Sequence, residues 1–168
     1  MPNIIRAAQK KDIPRLVEIL HAAFTKYQKD LHVPAKVSAL SENEEILLNE
    51  IESKRVLLIE TDGEILGSVR YGSLKGNIAY LSRFGVDPKI HKNGVGQELI
   101  EFVIAECREK KFSAIALHTC STMKHLIKFY YSNDFYIHST SFDRGYIRAL
   151  LLHDIEKGPY ELTEAMKR

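Results

Sequence analysis

The segment LSRFGVDPKIHKNGVGQELI, residues 81–100, carries the strongest chemical signal in the chain. An apolar run ends at Val86, a polar loop follows over 87–93, and Gly94 and Gly96 stand where a helical pattern begins. A phosphate-bearing ligand needs such a place. Backbone N–H groups at a helix N-terminus have no intrahelical partner, glycines let the backbone approach an anion closely, and the helix dipole adds ~0.3–1 kcal/mol. Lys92 supplies a positive charge nearby. An ordinary turn at Asn93-Gly94 accounts for the same residues about equally well, so the glycine pair alone does not decide. Two other phosphate patterns are excluded. A Walker loop requires Gly-Lys-Ser or Gly-Lys-Thr, and neither occurs. A dinucleotide fingerprint requires a third glycine where Leu99 stands, and a first glycine directly after the strand.

The elements that would position this segment follow from periodicity and turn chemistry. Ile4 and Ile5 begin a short strand. Asp12 is placed to cap a first helix, with Pro14 in its first turn and Leu16, Ile19, Leu20, Ala23 and Phe24 at helical spacing. Residues 31–40 read as a loop. Ser41 with Glu44 forms a capping-box pattern ahead of a second helix carrying Ile46, Leu47 and Ile51. Apolar runs at 56–60, 65–71 and 78–86 are separated by Asp62-Gly63 and Gly76-Asn77, which predicts an antiparallel meander of three strands. A helix over 94–111 and a strand over 113–120 then imply a parallel crossover. A helix over 123–133 and a hairpin of 136–142 with 146–152 close the fold, leaving 154–168 as a polar tail. The expected class is α/β (α+β), a mixed central sheet of about six to seven strands with flanking helices.

With 168 residues, 45% hydrophobic and 27% charged, the chain has the size and balance of one globular domain spanning 1–168. Its 24 basic and 22 acidic residues leave a net charge of +2, which favours neither nucleic acid nor a membrane surface as a partner. No apolar stretch approaches a membrane span or a signal peptide, so a cytoplasmic location is expected. Cys107 and Cys120 match no metal or redox spacing and read as buried apolar residues, and the seven histidines form no ligand cluster, so no metal site is expected.

Together these features resemble the GNAT N-acetyltransferase superfamily. Its signature, a strand ending in Val-x-Pro, a short loop and [Gln/Arg]-x-x-Gly-x-[Gly/Ala] opening a helix, is similar to Val86-Asp87-Pro88 followed by His91-Lys92-Asn93-Gly94-Val95-Gly96. The later segment HTCSTMKHLIKFYYSNDFYIHS resembles the family's helix ending in Phe-Tyr-x-x-x-Gly-Phe, with Phe129-Tyr130 and Phe135 in place. The inferred order of elements agrees along nearly the whole chain. Three positions depart: His91 for Gln or Arg, Asp134 for Gly, and Met123 for a frequent Asn. Aspartate tolerates the left-handed conformation that such a glycine adopts.

The resemblance implies acetyl-CoA as the acyl donor, its pantetheine arm along the backbone of Phe84, Gly85 and Val86. The pyrophosphate would lie on the amides of His91, Lys92, Asn93, Gly94, Val95 and Gly96. It implies Tyr130 as the general acid that protonates the leaving thiolate. For the general base, some relatives use a glutamate on the strand before Val-x-Pro, where only Arg83 is charged. Others use one twelve residues before the tyrosine, which is His118 here. A base matters because a lysine-like amine of pKa near 10.4 is neutral in only about one molecule in 2,500 at pH 7, a cost of roughly 4.6 kcal/mol. Histidine could take that proton directly or through water. Glu42, Glu44, Glu45, Glu50 and Glu52 could draw in a cationic amine, although such runs are more often solvated faces. Tyr27, Tyr71 and Tyr146 are candidate pocket aromatics.

The expected function is acetyl transfer to a primary amine of a small molecule or peptide by direct attack on the thioester, with a homodimer as an option. The alternatives are a noncatalytic acyl-CoA-binding or sensing module, and an interaction domain in which the loop is a plain turn.

Overall fold

The computed structural model describes residues 2–35, 37–90, 94–158, 160 and 162. Hairpin turns build the first half of the sheet. Strands β2 (Arg55–Thr61) and β3 (Glu64–Leu74) meet at Asp62 and Gly63, whose φ angles of 50° and 79° are those of a tight hairpin turn matched to strand twist. Strand β4 (Ile78–Val86) follows after Gly76 and Asn77, also at positive φ, and β1 (Ile4–Ala7) adds to the outer edge of β2. Helix α3 (Val95–Glu109) crosses over to β5 (Ala114–Cys120), which lies parallel to β4. Strands β6 (Tyr136–Ser141) and β7 (Arg148–Asp154) form the closing hairpin, with β7 inserted between β5 and β6. The seven strands run in the order β1-β2-β3-β4-β5-β7-β6.

Helices cover both faces, which explains why central strands read as continuous apolar runs. In β2, Leu57 and Ile59 face α3 in the larger core cluster, which also takes Leu99, Val103, Tyr130 and Phe135. Val56 and Leu58 point the other way, packing with Leu16 and Ile19 of α1 (Ile13–Asp30) and Leu47 of α2 (Glu44–Ser53). Helix α4 (Lys124–Ser132) packs beside β5.

Two caps differ from expectation. Asp12 occupies the position before α1 but gives it no side-chain cap. Its carboxylate accepts instead from Arg6, at 2.8 and 3.0 Å, and from the Gln9 N–H at 2.8 Å. Ser41 lies in a single 3₁₀ turn, Ser38–Ser41, and α2 is capped by Asn43, whose Oδ1 accepts from the Ile46 N–H at 2.8 Å. An intervening turn uses up the serine, so the cap moves two residues along.

The feature that makes a site possible is the parting of β4 from β5. Their parallel pairing covers only Ile78, Ala79 and Tyr80 against Ala114, Ile115 and Ala116. Beyond Tyr80, β4 stays on β3 through Gly67↔Val86 and Ser68↔Gly85, whereas β5 stays on β7 along its whole length. A bulge accompanies the divergence. Between Ser82 and Gly85, β4 has one residue more than the facing stretch of β3, and Arg83 sits at φ 52° to absorb it. That left-handed backbone costs a non-glycine residue of order 1–2 kcal/mol, which the surrounding contacts must offset.

Candidate active site

A cleft of about 660 Å³ opens where the two strands part. Its floor is β4 from Tyr80 to Val86 and β5 from Leu117 to Thr119, and its walls come from Phe24 and Tyr27 of α1, Phe129 and Tyr130 of α4, and Arg144, Tyr146 and Arg148 of the closing hairpin. Phe84, Gly85 and Val86 line it, and among the described residues their edge toward β5 has no strand partner. A Cβ on Gly85 would come within 3.1 Å of the Ala23 Cβ, so the absent side chain lets α1 lie close over this strand.

At one end of the cleft α3 begins. Gly94, at φ 89°, is its N-cap residue and provides no side-chain cap, and Val95 and Gly96 follow in the first turn. The amides of this turn have no carbonyl four residues back within the helix to receive them. The Val95 side chain is buried in the core, so only its backbone can serve a ligand. His91, Lys92 and Asn93 lie outside the described residues. The loop entering this turn is tied by Asp87, whose carboxylate accepts from Arg15 Nη2 at 2.7 Å and from the Lys89 N–H at 3.0 Å.

Gly96 permits a clean test of this end. A Cβ there would meet Phe84 at 3.6 Å, an ordinary contact, so the fold itself tolerates a methyl group. Gly96→Ala should leave thermal stability within about 0.5 kcal/mol. If a diphosphate sits against this turn, the same change should weaken coenzyme A binding by roughly tenfold or more, the worth of one displaced charge-assisted hydrogen bond, as read by calorimetry.

Tyr130 lies at the base of the cleft, 6% exposed. Its ring meets Phe84, Phe129 and Phe135 edge-on at 5.3 to 6.4 Å. The end of α4 holds it there. Asp134 adopts φ 62°, and the Phe135 N–H returns to the Tyr130 carbonyl at 3.0 Å, so aspartate does take the left-handed role expected of it. Burial pushes the Tyr130 phenol well above the ordinary tyrosine range, keeping it protonated at neutral pH.

His118, on β5, faces the cleft, and its Nδ1 lies 2.5 Å from Tyr80 Oη. This partnership was not legible in the sequence, because the two residues are 38 positions apart and meet only through the parallel register Tyr80↔Ala116. Tyr27 and Tyr146 line the opposite wall with their hydroxyls 3.4 Å apart, and the Cys120 N–H donates to Tyr27 Oη at 3.1 Å. Tyr71 sits in the α3-side core, bonded to Glu106 at 2.5 Å, and does not line the cleft.

The acidic run around α2 does not form a cation site. Glu42 precedes the helix, is wholly buried, and bridges Arg70 Nη1 at 3.0 Å and Arg83 Nε at 3.1 Å. Glu50 pairs with Arg70 and Lys54. Glu44, Glu45 and Glu52 are exposed.

Two buried carboxylates predict how the fold responds to acid. At Asp87 burial favours the neutral form, but the Lys89 N–H and Arg15 outweigh it and hold the pKa below the ordinary 3.8. Asp12 is lowered mainly by its bonds from Arg6, against the opposing effect of burial. Depressed folded-state values contribute stability that is present above the unfolded pKa and lost as pH falls through the folded one. Urea midpoints should therefore be flat from about pH 5 upward and fall below about pH 4. Asp87→Asn should flatten the acid limb, and an unchanged slope would contradict this assignment.

Three comparisons bear on this geometry. A family model described as the acetyltransferase (GNAT) family matches residues 13–135, well over half the chain. The chain belongs to that family, and its class is that of the N-acetyltransferases. Solved structures share the fold. A PaiA N-acetyltransferase from Thermoplasma acidophilum in complex with coenzyme A superposes with a TM-score of 0.78 at 18% identity, covering 92% of this chain and 99% of its own. yncA of Salmonella typhimurium with its cofactor acetyl-CoA gives 0.74 at 20% identity, covering 95% and 97%. A ribosomal-protein-alanine N-acetyltransferase from Brucella melitensis gives 0.67 at 20%, covering 90% and 99%. No curated protein sequence matches the chain significantly. Among the described residues no group of metal-ligating side chains is present, and no helix is long and apolar enough to cross a membrane.

Proposed function

We propose that residues 1–168 act as one N-acetyltransferase unit that moves the acetyl group of acetyl-CoA to a primary amine of a small molecule or peptide by direct attack on the thioester. The observation that carries this reading is the divergence of β4 from β5 beside the first turn of α3. An extended arm needs an open strand edge, a diphosphate needs free amides at a helix start, and the cleft joins the two.

The donor supplies an activated acetyl group, and this chain's residues do the rest. Backbone groups of Phe84, Gly85 and Val86 align the arm, and the amides of Val95 and Gly96, with those of residues 91–94, hold the diphosphate. Tyr130 donates its phenolic proton to the sulfur as the carbon–sulfur bond breaks. On the acceptor side, Tyr80 gives its proton to His118 Nδ1 while its own oxygen takes one from the attacking amine, leaving an imidazolium. The hydrogen bond between the Tyr80 hydroxyl and His118 Nδ1 provides the path for such a relay. Once that histidine is protonated the relay has no acceptor.

The reading is tested by turnover of an amine panel with acetyl-CoA, following thiol release. His118→Gln and Tyr80→Phe should each lower kcat by about a hundredfold, and the double variant should lose little more, because both residues serve one proton path. Additive losses would contradict the relay. Tight binding of coenzyme A with no transfer to any amine would favour a binding module instead.

A further inference from the structure

The charges around the acceptor end of the cleft point to the kind of amine it takes, given the transferase reading above. Among the described residues, every acid lining the cleft already has a cation. Asp30 pairs with Lys26 at 2.7 Å, Glu50 with Lys54 and Arg70, and Asp87 with Arg15. The excess is positive. Arg83, three residues along β4 from Tyr80, Arg148, paired with Cys120 two residues along β5 from His118, and Arg144 of the β6–β7 hairpin line the cleft together with Tyr80 and His118. Arg83 gives Nε to Glu42, and its Nη2 has no hydrogen bond among the described residues. Arg148 pairs with Asp143 at 3.2 Å. Arg144 is exposed and has no salt bridge among the described residues, although with Arg148 it helps to hold the Asp143 carboxyl below its ordinary range. Burial raises the Tyr80 phenol, and Arg148, Arg144 and Arg83 each pull it back down, so their fields converge on the point where the amine would lose its proton.

A converging positive field has two consequences. It repels an ammonium ion and favours the neutral amine that attacks. It also attracts an anionic group on the same molecule, and Arg guanidinium is the side chain best shaped for a carboxylate.

We propose that the acceptor is an amine bearing its own carboxylate or phosphate, an amino-acid-like compound, with the anion held by Arg144 and Arg83 beside Tyr80. The test compares kcat/KM for amino acids, their carboxamides and aminoalkyl phosphates of matched length. Acids or phosphates should exceed the amides at least tenfold, by a margin that shrinks with added salt, and the better of the two identifies the anion. Arg144→Gln, at an exposed position, should cut that ratio about tenfold with coenzyme A affinity unchanged. Amides used as well as acids, or a ratio unmoved by Arg144→Gln, would overturn the proposal. A second arm needs no turnover: calorimetry of N-acetylated acids against N-acetylated amides on protein saturated with coenzyme A. Selective binding of the acids without any acetyl transfer would uphold the anion site and defeat the transferase reading, whereas transfer without acid preference would do the reverse.

Discussion

Tyr130→Phe is expected to lower kcat by two orders of magnitude or more while coenzyme A affinity and melting temperature stay close to those of the parent. The range follows from what a positioned proton donor contributes, about 10²–10⁴-fold. The selectivity follows from the surroundings. The ring is packed edge-on by Phe84, Phe129 and Phe135, and phenylalanine keeps those contacts. What disappears is a hydroxyl that burial holds protonated. A leaving thiolate of ordinary pKa near 8.5 departs poorly unless a proton reaches it, so the loss should appear in kcat more than in KM. It should shrink for donors whose thiol leaves more easily. Retained activity within threefold would mean that Tyr130 serves packing alone.

Glu42→Ala should have the largest effect on stability, a loss of about 3–5 kcal/mol, the usual cost of leaving a buried charge without its partner. Arg70 is wholly buried, and Glu42, equally buried, takes its Nη1 at 3.0 Å. Removing that carboxylate leaves Glu50, at 3.2 Å and partly exposed, as the remaining counter-charge. Because typical domains are stable by only 5–15 kcal/mol, such a loss would remove a third or more of the total at the upper estimate. It would also release Arg83, whose Nε is bound by the same carboxylate and whose left-handed backbone forms the β4 bulge. Urea denaturation should show a much lower midpoint. Glu42→Gln, which can still accept a hydrogen bond from Arg70, should lose less. Equal midpoints for Glu42→Ala and the parent would show that the cluster contributes little.

How far the molecule is legible from its sequence depends on the range of the interaction. The Asp62-Gly63 hairpin, the helix-opening glycines and the left-handed Asp134 depend on a few adjacent residues, and each has the backbone geometry its residue types favour. The seven-strand mixed sheet follows from turn chemistry and the length of the crossover. The parting of β4 and β5 is absent from the local pattern, since 78–86 reads as one apolar run and Arg83 carries no local signal for positive φ, and an open edge at Phe84, Gly85 and Val86 was implied only by the family resemblance. The burial of Arg70 and Glu42 was equally hidden, because charged residues ordinarily belong outside. The nearest signal is Ser68 and Arg70, two polar residues on one face in the middle of a largely apolar strand. The Tyr80–His118 pair and the arginines at the acceptor end likewise depend on strand register and on a hairpin folding back over the cleft.

The most direct test is an amide-resolved NMR titration of the intact protein with coenzyme A. Perturbations should concentrate on Phe84, Gly85 and Val86 along the open edge of β4 and on Gly94, Val95 and Gly96 at the start of α3, saturating together at one equivalent. No binding at millimolar ligand, or shifts confined to surfaces away from these six amides, would contradict the assignment of this cleft to the acyl donor.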